Sequence, residues 1–384
     1  MTTDPIETVG VGMLGYSFMG KAHANAFRTV GYMMWPPPVQ PELVVVAGRD
    51  ESAVAEAARR YGFKAHTTDW HDVVTDPRVD IFDNCGPNFM HAEPTIAAAE
   101  AGKHVICEKP LGRDADESFE TWRRVEATGV KHLCAFNYRF VPAIRLAREL
   151  IESGELGEIR HYRARYLQDW ITEPDFPMVW RLDREQAGSG ALGDLGSHII
   201  DLGHYLVGDI ASVTGLTRTF IDDRPGGTVD VDDAFEATVA FEGGAVGTLE
   251  ATRFARGRKN ALSLELNGSN GSVAFDLERP NELQVSVPSL PTSVDGFRTV
   301  SVTESEHPFM ANWWPPGHVI GWEHTFVHEI HHLLKAIAED GDVEPHGATF
   351  RDGYRAAEVC DAIARSSEAD QSVDIRYRSL EVRV

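Results

Sequence analysis

Along the first third of the chain, short apolar runs alternate with stretches in which apolar residues return at helical spacing. Thr8 to Leu14 is apolar and β-leaning, and beyond Gly15 the residues Phe18, Met19, Ala22, Ala26 and Phe27 recur every three to four positions. This predicts a strand followed by an amphipathic helix. LVVVAG (43–48) reads as a second buried strand, and the alanine-rich ESAVAEAARRYG behind it as a helix stopped by its glycine. IFDNCG and HVICEK are later strands, with the helical PTIAAAEAG between them. A crossover helix returns the chain to the same end of a sheet, so strands alternating with helices predict a doubly wound parallel sheet.

Beyond about residue 135 the rhythm changes. In PAIRLARELIESG, Ala143, Leu146, Ala147, Leu150 and Ile151 share one helical face, and Tyr162, Ala164 and Tyr166 then alternate with Arg163 and Arg165 as in a half-exposed strand. FEATVAFEGGAVGTLEAT and LELNGSNGSVAFDL read as hairpins turned at glycine. The expected class is α/β: a parallel-sheet domain over 1–135, then an α+β domain with a large, mostly antiparallel sheet over 136–384. WPPPVQP (35–41) and the proline- and aromatic-rich stretch from about 280 to 318 read as loops or insertions, since proline interrupts helix and strand alike.

Composition narrows the function classes. With 384 residues, 42% of them hydrophobic, the chain can bury a sizeable core, and 36 basic against 59 acidic residues leave a formal charge of −23. So acidic a surface does not hold a phosphate backbone by counterion release, which argues against nucleic acid as a partner. No stretch approaches the roughly 20 apolar residues of a membrane span. The opening MTTDPIETVG carries acid where a secretory leader needs a basic run and an apolar core, so the chain reads as cytoplasmic. Cys85, Cys107, Cys134 and Cys360, with no C-x-x-C pair and mostly apolar neighbours, read as free buried thiols.

VGVGMLGYSFMGKAH (9–23) admits two glycine registers. Gly10, Gly12 and Gly15 match G-x-G-x-x-G letter for letter, whereas Gly15, Ser17 and Gly20 match it with serine in the middle. The first register puts the turn at Gly10 and leaves only an acid- and proline-bearing segment as the strand before it. The second ends an apolar strand at Gly15, puts Ser17 where backbone passes close to a pyrophosphate, and lets Gly20 pack the helix on the sheet. The second is therefore the register expected to bind a dinucleotide, within a Rossmann domain. An acidic residue at the end of the second strand usually holds the ribose of NAD. Here that strand ends in Gly48-Arg49-Asp50. Arg49 suits a 2′-phosphate or adenine stacking, which slightly favours NADP over NAD, while Asp50 stays open as a ribose partner.

Two further stretches carry chemistry. HVICEKPLG (104–112) ends a strand with Glu108 and Lys109 braced by a proline, and a lysine there can polarise the oxygen of a reacting alcohol or carbonyl. In GSGALGDLGSHIIDLGHYLVG (188–208), Asp194, His198 and Asp201 recur at helical spacing in an apolar, small-residue run, which puts them on one helical face. Histidine suits proton exchange with an alcohol near neutrality, and a carboxylate beside it can orient the ring. HEIHH (328–332) is a rival, because H-E-x-x-H on a helix offers His328 and His332 to zinc, with Glu329 as base. No G-x-x-H follows, and LLKAIAEDG reads as an ordinary amphipathic helix, so no metal is expected and these histidines read as exposed or interface residues.

GYSFMGKAH, CGPNFMH (85–91), CEKPLG and GDLGSHIID, in that order and across both halves, resemble the Gfo/Idh/MocA family of glucose-fructose oxidoreductase and inositol dehydrogenase relatives. E-K-P together with D-x-x-x-H is the specific part of the match. Ser17, and Cys85-Gly86 where the family commonly has a threonine before Pro-Asn, depart from the pattern. The resemblance implies a NAD(P)-dependent dehydrogenase with Lys109, Asp194 and His198 as its catalytic set. It implies a coenzyme site of Gly15, Ser17, Phe18, Met19, Gly20, Arg49, Pro87, Asn88, His91, Glu108 and Lys109. Trp180 and Arg181, with Trp170 upstream, and Asn137, Tyr138 and Arg139 in FNYRF are candidates to hold substrate beside the catalytic set. The WPPP insertion and DWITEPDFPMVWRLDREQAGSGALGDLGSH are most similar to levoglucosan dehydrogenase-like members, which oxidise a ring hydroxyl of a pyranose or anhydrosugar, typically at carbon 3. The expectation is hydride transfer from a secondary hydroxyl of a sugar, anhydrosugar, glycoside or inositol, by a homodimer or homotetramer assembled through the second sheet. A NAD(P)-linked glycosidase of the same family and a non-catalytic nucleotide or sugar sensor stay open beside it.

Overall fold

The computed structural model describes residues 6–288, 291 and 293–380. The chain forms two compact units: one of residues up to Gly112, Asp116–Phe140 and Gly321–Tyr354, the other of Arg113–Ala115, Val141–Ile320 and Arg355 onward. Residues 321–354, far beyond the expected cut at 135/136, thus group with the first unit.

The first unit is built on β1 (Thr8–Leu14), β2 (Gln40–Ala47), β3 (Ala65–Thr67), β4 (Ile81–Asn84), β5 (His104–Cys107) and β6 (His132–Cys134). Helices α1 (Phe18–Met33), α2 (Glu51–Tyr61), α3 (Trp70–Thr75), α4 (Ala92–Glu100) and α5 (Ala115–Glu126) link them. The strands pair in parallel in the order β3-β2-β1-β4-β5-β6. The order reverses between β1 and β4, where a doubly wound sheet leaves a crevice at its carboxyl ends. β1 is buried over all but its first residue, as an apolar central strand covered on both faces must be. It runs straight through Gly10 and Gly12. A Cβ at Gly10 would stand 1.7 Å from the Arg78 carbonyl oxygen and one at Gly12 2.4 Å from Val73, so packing explains both glycines.

The second unit opens with α6 (Pro142–Glu152) and β7 (Ile159–Leu167), followed by α7 (Arg184–Ala187) and α8 (Ser197–Leu206). Then come β8 (Ile210–Arg218), the short ribbon β9 (Asp223–Arg224) and β10 (Gly227–Thr228), β11 (Ala234–Phe241), β12 (Val246–Thr252), β13 (Ala261–Gly268), β14 (Ser272–Asp276), β15 (Glu282–Ser286) and β16 (Arg298–Ser301). The chain continues through α9 (Glu323–Ala338), which belongs to the first unit, to α10 (Phe350–Ala369) and β17 (Val373–Asp374). Nine strands form one sheet, β16-β15-β14-β13-β7-β12-β11-β8-β17, in which β7 and β12 pair in parallel and the other described neighbours are antiparallel. Tyr162, Ala164 and Tyr166 face the core while Arg163 and Arg165 are exposed, as the alternation predicts. Both glycine-turned hairpins are present, as β11–β12 and β13–β14.

The loop reading of 280–318 needs correction. β15 and β16 lie within it, and Leu283 and Val285 are core residues at 0% and 4% exposure. The strands are short enough to fit between the prolines, which lie outside them, so proline content hid a period of two; residues 289, 290 and 292 lie outside the described residues. Similarly Gln40 and Pro41, read as loop, already pair with β1. All four cysteines are free. Among the described residues no helix is long and apolar enough to cross a membrane.

Candidate active site

The turn after β1 is shaped by two glycines. Gly15 takes a φ of 94° and a Cβ there would lie 2.5 Å from the Cys85 carbonyl oxygen; one on Gly20 would lie 2.1 Å from the Gly15 carbonyl oxygen. Neither place admits a side chain without moving backbone. Ser17 stands at the N-cap of α1, yet no side chain caps the helix and no acidic residue occupies its first turn. The amides of that turn, with the positive end of the helix dipole, suit an anion. The residues present therefore fit the pyrophosphate of a dinucleotide, in the Gly15/Ser17/Gly20 register. Met19 is half-buried, and Phe18, 66% exposed, stacks on Trp322 with ring centroids 5.3 Å apart. At the tip of β2 the Asp50 carboxylate accepts the Ala53 N–H at 2.9 Å and the Ser52 hydroxyl at 2.8 Å, which caps α2. Those bonds, the Ala53 N–H foremost, hold Asp50 below the usual carboxylate range. Arg49 beside it is exposed.

Behind the tips of β4 and β5 the picture changes for two of the expected residues, His91 and Glu108. Pro87 precedes a single 3-10 turn, Asn88–Met90, and both are accessible. His91 is 1% exposed, with Nδ1 2.7 Å from the Pro110 carbonyl oxygen and Nε2 2.9 Å from that of Gly86. Burial holds its pKa below the ordinary histidine value. Its ring ties backbone together instead of presenting a face to a coenzyme. Glu108, 4% exposed, is likewise internal: Oε1 meets His23 Nε2 at 3.0 Å and Oε2 accepts the N–H of Lys109 at 3.2 Å. Lys109 itself is half-buried. His23, Asp83 and Cys85 also bring three potential metal-ligand atoms within 4.8 Å of one another, but as an internally hydrogen-bonded group.

FNYRF lies wholly inside the first unit. Asn137, 3% exposed, donates to Thr325 Oγ1 at 2.8 Å; Tyr138 is 3% exposed; and Arg139, also 3%, pairs with Asp352 at 3.4 Å. All three are buried, and the reason is packing: this segment lies against residues 321–354, whose return to the unit is invisible in local sequence. The histidines of HEIHH belong there too, and are not exposed. His328 is fully buried with Nδ1 3.0 Å from the Phe140 carbonyl oxygen, and burial lowers its pKa to about 3; His332 Nε2 lies 2.8 Å from the Val343 carbonyl oxygen.

In the second unit the expected regular helix over 188–208 is broken. Leu192–Gly196 forms a π-helical turn and α8 starts at Ser197, so Asp194 lies in the wide turn and His198 in the first turn of α8. Asp232, buried, clamps the entry by accepting the N–H groups of Gly190 and Leu192, each at 2.7 Å. Asp194 remains partly open, 27% exposed at its side chain, and its Oδ2 accepts from Arg253 Nη2 at 2.9 Å. Arg253 is 1% exposed, reaches the Arg181 carbonyl oxygen at 3.3 Å and lies 5.3 Å from the Trp170 ring centre. His198, 6% exposed, sits edge-on to Tyr166 at 5.8 Å. Trp170 packs against the cluster of Ile171, Leu182, Val229 and Val231, whereas Trp180 is half-buried with the Arg181 guanidinium 4.3 Å from its ring centre. A polar cavity of about 810 Å³ in this unit is lined by Arg113, Arg184, Arg218 and Asp361 among others, and by neither Asp194 nor His198. Arg253, Asp232 and His23 are buried polar residues bonded to the candidate residues or their segments, and sequence reasoning does not single them out. Of these only His23 left a signal, a polar residue on an otherwise apolar helical stripe.

Comparison with known proteins finds related chains over both units. Residues 9–136 match an oxidoreductase family with an NAD-binding Rossmann fold, and residues 144–274 match the GFO/IDH/MocA C-terminal domain. A levoglucosan dehydrogenase of Pseudarthrobacter phenanthrenivorans is 42% identical, covering 96% of this chain and 99% of its own. An inositol 2-dehydrogenase of Rhizobium meliloti is 26% identical over 96% of this chain and 99% of its own. Among solved structures, levoglucosan dehydrogenase in complex with NADH and levoglucosan has a TM-score of 0.94 at 44% identity, over 97% of this chain and 100% of that one.

Proposed function

The chain belongs to the Gfo/Idh/MocA oxidoreductase family, and from that premise we propose that it is a nicotinamide-dependent dehydrogenase oxidising a ring hydroxyl of an anhydrosugar or pyranose, at carbon 3. The observation that carries the reading is the uncapped, glycine-gated start of α1, a fit for a dinucleotide, in a chain that also holds an arginine-braced Asp194 four residues before His198. When bound, the nicotinamide supplies the hydride acceptor. His198 takes the hydroxyl proton, for which a neutral imidazole is the suitable base at physiological pH. Lys109 places an ammonium against the oxygen that gains negative charge, where a fixed charge is worth most. Asp194, with one oxygen held by Arg253, orients the histidine. Lysine and histidine can exchange roles.

His91 and Glu108 act in this reading as supports for the backbone around Lys109. Trp180 with Arg181 supplies an apolar face and donors to the sugar. The identity to a levoglucosan dehydrogenase supports an anhydrosugar substrate. The family match supports NAD as coenzyme. With Asp50 engaged as a helix cap, Arg49 is the side chain left to read the ribose, and it slightly favours a 2′-phosphate and hence NADP. Assembly as a dimer or tetramer uses the nine-stranded sheet, whose outer face carries exposed Arg163, Arg165 and Glu236. Four free thiols suit a cytoplasmic enzyme.

The test is a screen of levoglucosan, pyranoses and inositols with NAD and NADP, following absorbance of the reduced coenzyme in wild type and Lys109→Met. Lys109→Met is expected to bind coenzyme normally and lose most turnover. Release of aglycone without net coenzyme reduction would instead identify a glycosidase, and no turnover on any polyol a sensor.

A further inference from the structure

We propose that His23 is a positioning residue for Lys109, acting through a buried carboxylate–imidazole–carboxylate bridge. The inference rests on the reading of Lys109 given above. His23 and Asp83 are 0% exposed and Glu108 4%. His23 Nδ1 lies 3.0 and 3.1 Å from the two Asp83 oxygens, and Nε2 lies 3.0 Å from Glu108 Oε1. An ionised carboxylate only accepts hydrogen bonds, so an imidazole lying between two of them is satisfied when both its nitrogens carry protons. Burial, the largest single influence, lowers its pKa, but the charge and hydrogen bonds of Asp83, with Cys85 beside it, together outweigh burial and hold it well above the ordinary value. The ring is therefore a fixed imidazolium donating in two directions.

The bridge has a consequence one residue further along. Glu108 is gripped at both oxygens, by His23 on one and by the N–H of Lys109 on the other. On the far side of Lys109, the Pro110 carbonyl oxygen lies 2.7 Å from His91 Nδ1. Lys109 is thus the residue between two histidine-anchored neighbours, and its backbone has little freedom to re-aim the ammonium. Phe326 of α9 closes the cluster with its ring 5.3 Å from that of His23, and the Cys85 thiol donates to Asp83 Oδ1 at 3.4 Å. A purely structural role would need only a packed ring here. Three coupled charges, at a cost in desolvation, instead fix a direction.

The experiment compares wild type, His23→Gln, Glu108→Asp and Lys109→Met. It measures kcat, sugar KM, the Kd of NADH by fluorescence, and the nitrogen resonances of ¹⁵N-histidine-labelled protein. His23→Gln is expected to lower kcat about 10- to 100-fold, the scale of a misaligned catalytic group. NADH Kd and sugar KM should stay within about threefold, since only the aim of the ammonium changes. One histidine should show both nitrogens protonated at neutral pH, and that signal should vanish in His23→Gln. If His23→Gln does not fold, Glu108→Asp keeps the charge but shortens the reach by one methylene, and it should show the same kcat loss. Unchanged kcat in the folded variants, parallel loss of kcat and NADH binding, a neutral His23 ring, or stoichiometric zinc that disappears in His23→Gln would each overturn the inference. Full turnover in Lys109→Met would sink the underlying reading instead; loss of turnover there with normal kcat in His23→Gln would sink the bridge alone.

Discussion

Replacing Arg253 with methionine tests how the second unit holds its acid. The guanidinium is 1% exposed and serves three partners: Asp194 Oδ2 at 2.9 Å, the Arg181 carbonyl oxygen at 3.3 Å and the Trp170 ring at 5.3 Å. A hydrogen bond to a charged group contributes about 1.5–3 kcal/mol, and the carbonyl bond and the ring contact each roughly 1 kcal/mol. Asp194 is 27% exposed, so water takes over part of the lost contact and the lower half of that range applies. Methionine refills most of the volume, which limits any cavity penalty. The expected loss is about 3.5–4 kcal/mol, or roughly 7–16 °C in melting temperature for a domain of this size. Turnover should fall about 10- to 100-fold, because Asp194 loses the contact that aims it. Arg253→Lys retains the charge but not the fork, and should recover only part of either loss. Differential scanning fluorimetry and absorbance of reduced coenzyme give both readouts. A melting temperature within about 1 °C of wild type, with turnover within about twofold, would show that Arg253 is a bystander and refute the reasoning.

Three other outcomes are expected. Gly20→Ala sets a Cβ 2.1 Å from the Gly15 carbonyl oxygen, so fluorescence titration should show NADH binding weakened at least about tenfold; wild-type affinity would mean the turn is not the pyrophosphate site. Arg49→Ala should raise the Kd of NADP about tenfold and leave that of NAD unchanged in calorimetry, and equal effects on both would remove Arg49 from coenzyme choice. Burial pushes Asp361 up to about 6. Its folded value thus exceeds the unfolded one, so its support for the fold is complete below about pH 4 and disappears as pH rises through about 6, a swing of roughly 3 kcal/mol. Asp361→Asn can still accept the Ala115 N–H at that site, and should resist urea better than wild type near neutrality but not at about pH 4. The same gap at both pH values would contradict the assignment.

What the sequence reveals and what it hides follow one physical line. The β1 turn is legible because an apolar run must end where the chain leaves the sheet, and only Gly15, not Gly10, stands at that end. The alternation of Tyr162, Arg163, Ala164 and Arg165 is legible because it reports one solvated face. The site's braces are not, since they depend on burial conferred by distant segments. In ATRFARGR, Arg256 and Arg258 are exposed and pair with Glu173 and Glu278, while Arg253 is buried on Asp194; nothing local separates the three. The π turn at Leu192–Gly196 escaped for a related reason, because glycines at 193 and 196 permit a wide turn without announcing it. The burial of Asn137 and Tyr138 is hidden in the same way, because it comes from residues 321–354, far along the chain.

That return has a bearing on how the protein is made. A nascent chain that has emerged only as far as Phe140 carries every strand of the parallel sheet, yet lacks α9 and with it the ring that covers His23. The ribosome must still deliver the whole of Val141–Ile320 before the first unit can be sealed. The nucleotide half is therefore started before the second unit and completed only after Ile320, and a gene fragment stopped at its apparent boundary should yield a sticky, chaperone-dependent polypeptide, not a free-standing coenzyme module.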